Sequence, residues 1–70
     1  MPPLLSVIIP AFNEEHRLPD NLKRILDFLG TQTYASEVVV VDNGSQDRTS
    51  AIVDQFMQGN PSLHLIREPA

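Results

Sequence analysis

Asp42 follows four consecutive valines, residues 38–41, and opens the stretch Asn43-Gly44-Ser45. An ionised carboxylate offers two acceptor oxygens and no donor, which suits a base N–H or a ribose hydroxyl. A second apolar run, residues 6–9, breaks into Pro10-Ala11-Phe12-Asn13-Glu14-Glu15 in the same manner. Pro10 and Ala11 supply a rigid turn, Phe12 an aromatic face for a flat base, and Glu14 a second acceptor. Gly44 lets the backbone turn closely, and Ser45 adds an N–H group. These groups recognise rather than make bonds. The chain has no cysteine, and neither Ser6 nor Ser45 has an identifiable His–Asp pair to activate it. His16 and His64 are far apart in sequence and form no ligand cluster.

Each residue has an ordinary use as well. Asn43-Gly44 is a common turn pair and Asp47 a common helix cap. Phe12 fits a core, Glu14, Glu15 and Arg17 fit a solvated surface, and Arg67 with Glu68 makes a surface pair of little worth. The functional reading depends on both loops sharing one edge of one sheet, so the elements that place them decide the matter.

Residues 4–9 are short, apolar and β-branched, and read as a buried strand stopped by Pro10. Pro19 can open a helix because its missing N–H would be unpaired there. Asp20 then faces the positive end of the helix dipole. Leu22, Ile25, Leu26 and Leu29 form one apolar stripe, and Gly30 closes the helix as a C-cap. Residues 38–41 form the second strand. Their lack of alternation predicts cover on both faces, as in a parallel sheet between helices. Asp47 caps a second helix with an apolar side of Ile52, Val53, Phe56 and Met57, ending near Gly59-Asn60-Pro61. Residues 63–67 make a third strand. The expected fold class is α/β, a β-α-β-α-β half of a doubly wound domain with a parallel three-stranded sheet and flanking helices. Such sheets bind ligands beyond the carboxyl ends of their strands. Those ends here are residues 10–15, 42–47 and 67–70, which brings the two polar loops to one edge.

Composition narrows the partners. The 70 residues are 41% hydrophobic and 20% charged with a net charge of −4. Five scattered Lys and Arg give no basic field for nucleic acid or a polybasic membrane patch. Apolar runs stop at four residues, far short of the roughly 20 of a membrane span. The N-terminus lacks the basic start and cleavage site of a signal peptide, so a cytoplasmic location is expected. A dinucleotide fold would need G-x-G-x-x-G after the first strand, where this chain has Pro10 to Glu15 with no glycine and two acids. No phosphate-cradling G-x-x-x-x-G-K occurs either. Acids there repel a pyrophosphate, so the first loop must meet a less charged part of its ligand.

The stretch SVIIPAFNEEHRLPDNL, followed about 20 residues later by EVVVVDNGSQDRT, resembles the N-terminus of family 2 glycosyltransferases of the GT-A fold. The NEEHRLP portion is most similar to the dolichyl-phosphate glucosyltransferase and polyprenyl-phosphate branch. The resemblance implies that residues 1–70 are the N-terminal part of a single, incomplete GT-A domain. It implies that Pro10, Ala11 and Phe12 line the base of a nucleotide-sugar donor, with Glu14 near base or ribose. Asp42 would receive the base or ribose edge, with Val41 and Gly44 shaping the wall. Phe12 stands where the family usually has Tyr, and Asn43 where it usually has a second Asp. No catalytic residue is expected in this chain. The implied function of the parent is transfer of a sugar, such as glucose from UDP-glucose, to an acceptor such as a polyprenyl phosphate at the cytoplasmic face of a membrane. A divalent metal, Mg2+ or Mn2+, is expected for the full enzyme, with its ligands outside this chain. Membrane association would come only through missing C-terminal parts. The competing reading is a non-catalytic α/β module that pairs with another chain or with itself, because three parallel strands leave an edge uncovered.

Overall fold

The computed structural model describes residues 4–69. Five elements follow in the order strand β1 (Leu5–Ala11), helix α1 (Leu18–Gly30), strand β2 (Ser36–Asp42), helix α2 (Thr49–Met57) and strand β3 (Leu63–Arg67). The strands form one parallel sheet in the order β1-β2-β3. Val7 is paired with Val38 and Ala11 with Asp42, while Val38 is paired with Leu63 and Asp42 with Arg67. This is the β-α-β-α-β arrangement that the apolar patterning predicts.

β1 does not stop at Pro10 as expected; it continues to Ala11. Proline lacks a ladder donor but is tolerated on an edge strand, and β1 is an edge. β2 likewise starts two residues early and takes in Asp42 as its last residue. Pro19 lies in the first turn of α1 with Asp20, as expected. Gly30 is the last helical residue, but the C-cap is Thr31 in a right-handed conformation. The glycine therefore does not serve as a left-handed cap, since Thr31 N–H closes the end on the Phe28 and Leu29 carbonyls.

Right-handed crossovers stepping twice in the same direction put both helices on one face of the sheet. The core lies there: Leu18, Leu22 and Leu29 from α1 and Val53 from α2 pack on Ala11, Val38, Val40 and Leu63. The expectation of cover on both faces is therefore corrected. Along β2, Val38 and Val40 are fully buried while Val39 and Val41 are only half-buried. Ile8 and Ile66, which flank them on the bare face, are 57% and 46% exposed. Valine runs without alternation say that both faces are apolar; they do not say that both are covered within the same chain.

Candidate functional site

All three strand tips converge on Asp42. Asn43 N–H donates to the Ala11 carbonyl at 2.9 Å, and Glu68 N–H donates to the Asp42 carbonyl at 2.8 Å. The loops after β1 and β2 are then joined by four hydrogen bonds. Asn13 N–H donates to Ser45 Oγ at 2.9 Å, and Gln46 N–H to Asn13 Oδ1 at 2.9 Å. Glu14 N–H donates to Thr49 Oγ1 at 2.9 Å, and Glu15 N–H to Asp47 Oδ2 at 3.2 Å. Two residues take left-handed conformations to make this possible, Asn13 with φ 51° and Gly44 with φ 79°. Asparagine and glycine are the residues that pay least for that region.

Asp47 acts at the start of α2, though as the residue before the N-cap. Its Oδ1 accepts from the Thr49 amide at 2.9 Å and from the Thr49 hydroxyl. Thr49 is fully buried and relays the connection from Asp47 to Glu14. Sequence reading gave Asp47 a capping role and gave Asn13, Gln46 and Thr49 none. The reciprocal spacing of amide acceptors in one loop and hydroxyls in the other was the available clue.

Asp42 is only 3% exposed. Its Oδ1 accepts from Ser45 N–H at 3.0 Å, and its Oδ2 accepts from the Ser50 hydroxyl. The Ser45 amide expected to face a ligand is thus spent on the carboxylate. Burial by itself would raise the pKa of Asp42. The Ser45 and Ser50 donors, helped by the charge of Arg67, outweigh burial, so the group titrates below its ordinary value and is ionised at neutral pH. The carboxylate lies at a hollow of about 620 Å³ whose lining includes Gly44, Ser45, Ser50, Arg67 and Glu68. Asp47 and Asp54 also line it, giving four acids to one arginine. Arg67 itself leans on Asp54, Nη2 to Oδ2 at 3.3 Å. Ala70, the last residue of the third crevice segment, lies outside the described residues.

The other predicted residues are distributed around this hollow. Pro10, Ala11 and Glu14 line a smaller depression of about 220 Å³ at the outer side of β1, with Arg17 and Asn21. Glu14 is held there by a bidentate pair to Arg17, both contacts at 2.8 Å. Phe12 lies in the loop after β1 and is 56% exposed, a surface aromatic rather than a core residue. Val41 alternates with Asp42 along β2 and so belongs to the opposite face of the sheet. The structure thus joins the two loops and groups Asp42 with Gly44, but places Pro10, Ala11 and Glu14 beside a neighbouring depression and Val41 away from both.

No group of three or more His, Cys, Asp or Glu that could hold a metal ion comes together among the described residues. The described residues do not fit a metal site. No helix among the described residues is long and apolar enough to cross a membrane.

A three-stranded parallel α/β sheet with a buried carboxylate at its carboxyl edge is a Rossmann-like arrangement, the kind of sheet whose ligands bind beyond the strand ends. The profile of glycosyl transferase family 2 matches residues 6–70, and the chain belongs to that family. It is 34% identical over 70 residues to a dolichyl-phosphate beta-glucosyltransferase of Trichomonas vaginalis, covering 93% of this chain and 22% of the relative. A dolichyl-phosphate beta-glucosyltransferase of Drosophila melanogaster is 51% identical over 53 residues, covering 69% of this chain and 16% of the relative. Glycosyltransferase AglE of Haloferax volcanii is 42% identical over 69 residues, covering 94% of this chain and 21% of the relative. The chain therefore spans about one fifth of the length of the curated relatives it matches.

Proposed function

We propose that this chain is the N-terminal, donor-binding portion of a glycosyltransferase, and that Asp42 receives the nucleoside of a nucleotide-sugar. The observation that carries this reading is a buried carboxylate, kept ionised by two donors, at the point where three strand tips meet. An anionic acceptor of this kind pairs with a base N–H or with ribose hydroxyls. The acidic lining sets the direction of entry. Four carboxylates against one guanidinium disfavour a diphosphate, so the neutral nucleoside end faces the hollow and the charged end points away. Phe12 offers its exposed ring to the base and Gly44 shapes the wall, while Pro10 and Ala11 line the neighbouring depression. Glu14 is neutralised by Arg17, which permits a ribose to approach without a free acid beside the phosphates.

The sugar in this reading is glucose and the acceptor a polyprenyl phosphate, following the names of the dolichyl-phosphate glucosyltransferase relatives, and the donor is taken to be UDP-glucose. The transfer would take place at the cytoplasmic face of a membrane. Mg2+ or Mn2+, with ligands outside this chain, would supply Lewis-acid neutralisation of the departing diphosphate. The test is calorimetric titration of UDP into the full-length protein and its Asp42→Asn variant. A loss of about tenfold or more in affinity is expected, the size of one charge-assisted hydrogen bond. Equal affinity would refute the nucleoside role.

The bare sheet face favours a second reading, in which this unit pairs with another chain or with itself. Ile8 and Ile66 project from that face beside half-buried Val39 and Val41. Sedimentation of the 70-residue chain tests it: self-association that Ile8→Lys abolishes supports the reading, and a stable monomer contradicts it.

A further inference from the structure

We infer that Ser50, in the first turn of α2, is the positioning residue for Asp42: its hydroxyl fixes one carboxylate oxygen while the Ser45 amide fixes the other, so the acceptor is presented to the nucleoside in a single orientation. The inference rests on the proposed nucleoside role of Asp42 and adds a residue that neither the sequence motifs nor the charge pattern singled out.

A carboxyl group that is 3% exposed has lost nearly all of its water. Burial favours the neutral acid, which would present a donor where an acceptor is needed. Two protein donors offset that tendency, and they come from different places. Ser45 N–H belongs to the turn just after β2 and follows Asp42 closely in the chain. Ser50 Oγ comes from α2, eight residues on, and donates directly to Oδ2, and both residues line the hollow. A local amide alone fixes one oxygen and leaves the group free to pivot about that bond. The second donor removes the pivot. α2 is itself anchored, since Thr49 beside Ser50 is fully buried and bonded to the Glu14 amide. Ser50 therefore transmits the position of a fixed helix to the carboxylate.

The other charges around Asp42 do not perform this task. Arg67, paired with Asp42 across the sheet, puts its guanidinium on Asp54. Asp47 is engaged with Glu15 and Thr49, and Asp54, Asp47 and Glu68 carry the same sign as Asp42. The carboxylate retains lone pairs beyond those that Ser45 and Ser50 occupy, and in this reading the nucleoside takes one of them.

The experiment compares Ser50→Thr with Ser50→Val in the full-length protein. The two side chains have nearly the same shape and differ in the hydroxyl. UDP affinity is measured by calorimetry from neutral pH downward, with Asp42→Asn alongside. The threonine variant is expected within about twofold of the parent, and the valine variant about tenfold weaker at neutral pH. The valine variant should also lose affinity at a higher pH than the parent. Without the hydroxyl, one of the donors that oppose burial is gone, and Asp42 takes up its proton sooner as the pH falls. Equal affinities and superimposed pH profiles for the threonine and valine variants would overturn the positioning role. If Asp42→Asn is then weak, the nucleoside reading survives without Ser50. If Asp42→Asn binds like the parent, both fall.

Discussion

Thr49→Val tests whether the two loops form one unit. The substitution keeps the size of a fully buried side chain and removes its hydroxyl. That hydroxyl accepts from the Glu14 amide at 2.9 Å and donates to Asp47. In the variant, a methyl group faces an amide that has no other protein partner in the described structure. Leaving a buried donor unmet costs about 1–3 kcal/mol. Glu14 is half-buried, so water can recover part of this, and about 2 kcal/mol is expected, or about 30-fold in an opening equilibrium. Amide hydrogen exchange reads this at one atom. Protection of the Glu14 N–H should fall by that factor, while Val38 and Val40 in the centre of the sheet stay protected until global unfolding. Thr49→Ser retains the hydroxyl and should keep most of the protection. If Glu14 exchanges at the parental rate in the folded valine variant, the loops are not held together through Thr49.

Other outcomes follow from the same structure. Gly44→Ala forces a side chain into a conformation with φ 79° and should cost about 1–2 kcal/mol, visible as a lower urea midpoint at unchanged slope. Leu22→Ala empties a fully buried core position and should cost about 2–5 kcal/mol by the same measurement, whereas Ile8→Ala, on the bare face, should cost under about 1 kcal/mol in the monomer. Asp42 and Asp47 both titrate below the ordinary 3.8, so their contribution to stability is complete above that value and is lost as the pH falls through the lower folded-state value. Asp47→Asn should flatten the acid limb of a stability–pH curve, and an unaltered limb would show that Asp47 does not contribute to it.

The elements were legible because their patterns are local. The stripe Leu22, Ile25, Leu26, Leu29 specifies one helix whatever it packs on, and the residues predicted for β3 coincide with the strand. Boundaries moved where a tertiary fact intervened. Pro10 looks like a stop until β1 is known to be an edge strand, where its missing N–H faces no partner. Gly30 looks like a left-handed cap, but Thr31 closes the helix without one. The valine run reports the polarity of both faces of β2 and cannot report whether the cover for the second face lies in the same stretch of chain.

The site was legible only in part, and for a related reason. Type and position pointed to Asp42 because a lone carboxylate after a run of valines has no purpose in a core. What keeps that carboxylate ionised is not adjacent to it. Ser50 is one of two serines in a polar segment, and its spacing of eight residues from Asp42 was not among the patterns read from the sequence. It becomes significant only once the turn and the first residues of α2 fold back over the tip of β2. The same holds for Glu14, whose charge reads as free in sequence and is satisfied in space by Arg17. Sequence patterns disclose groups that need a partner; which partner answers depends on chain reversal, and here the reversal after β2 brings Ser45 and Ser50 to the same carboxylate.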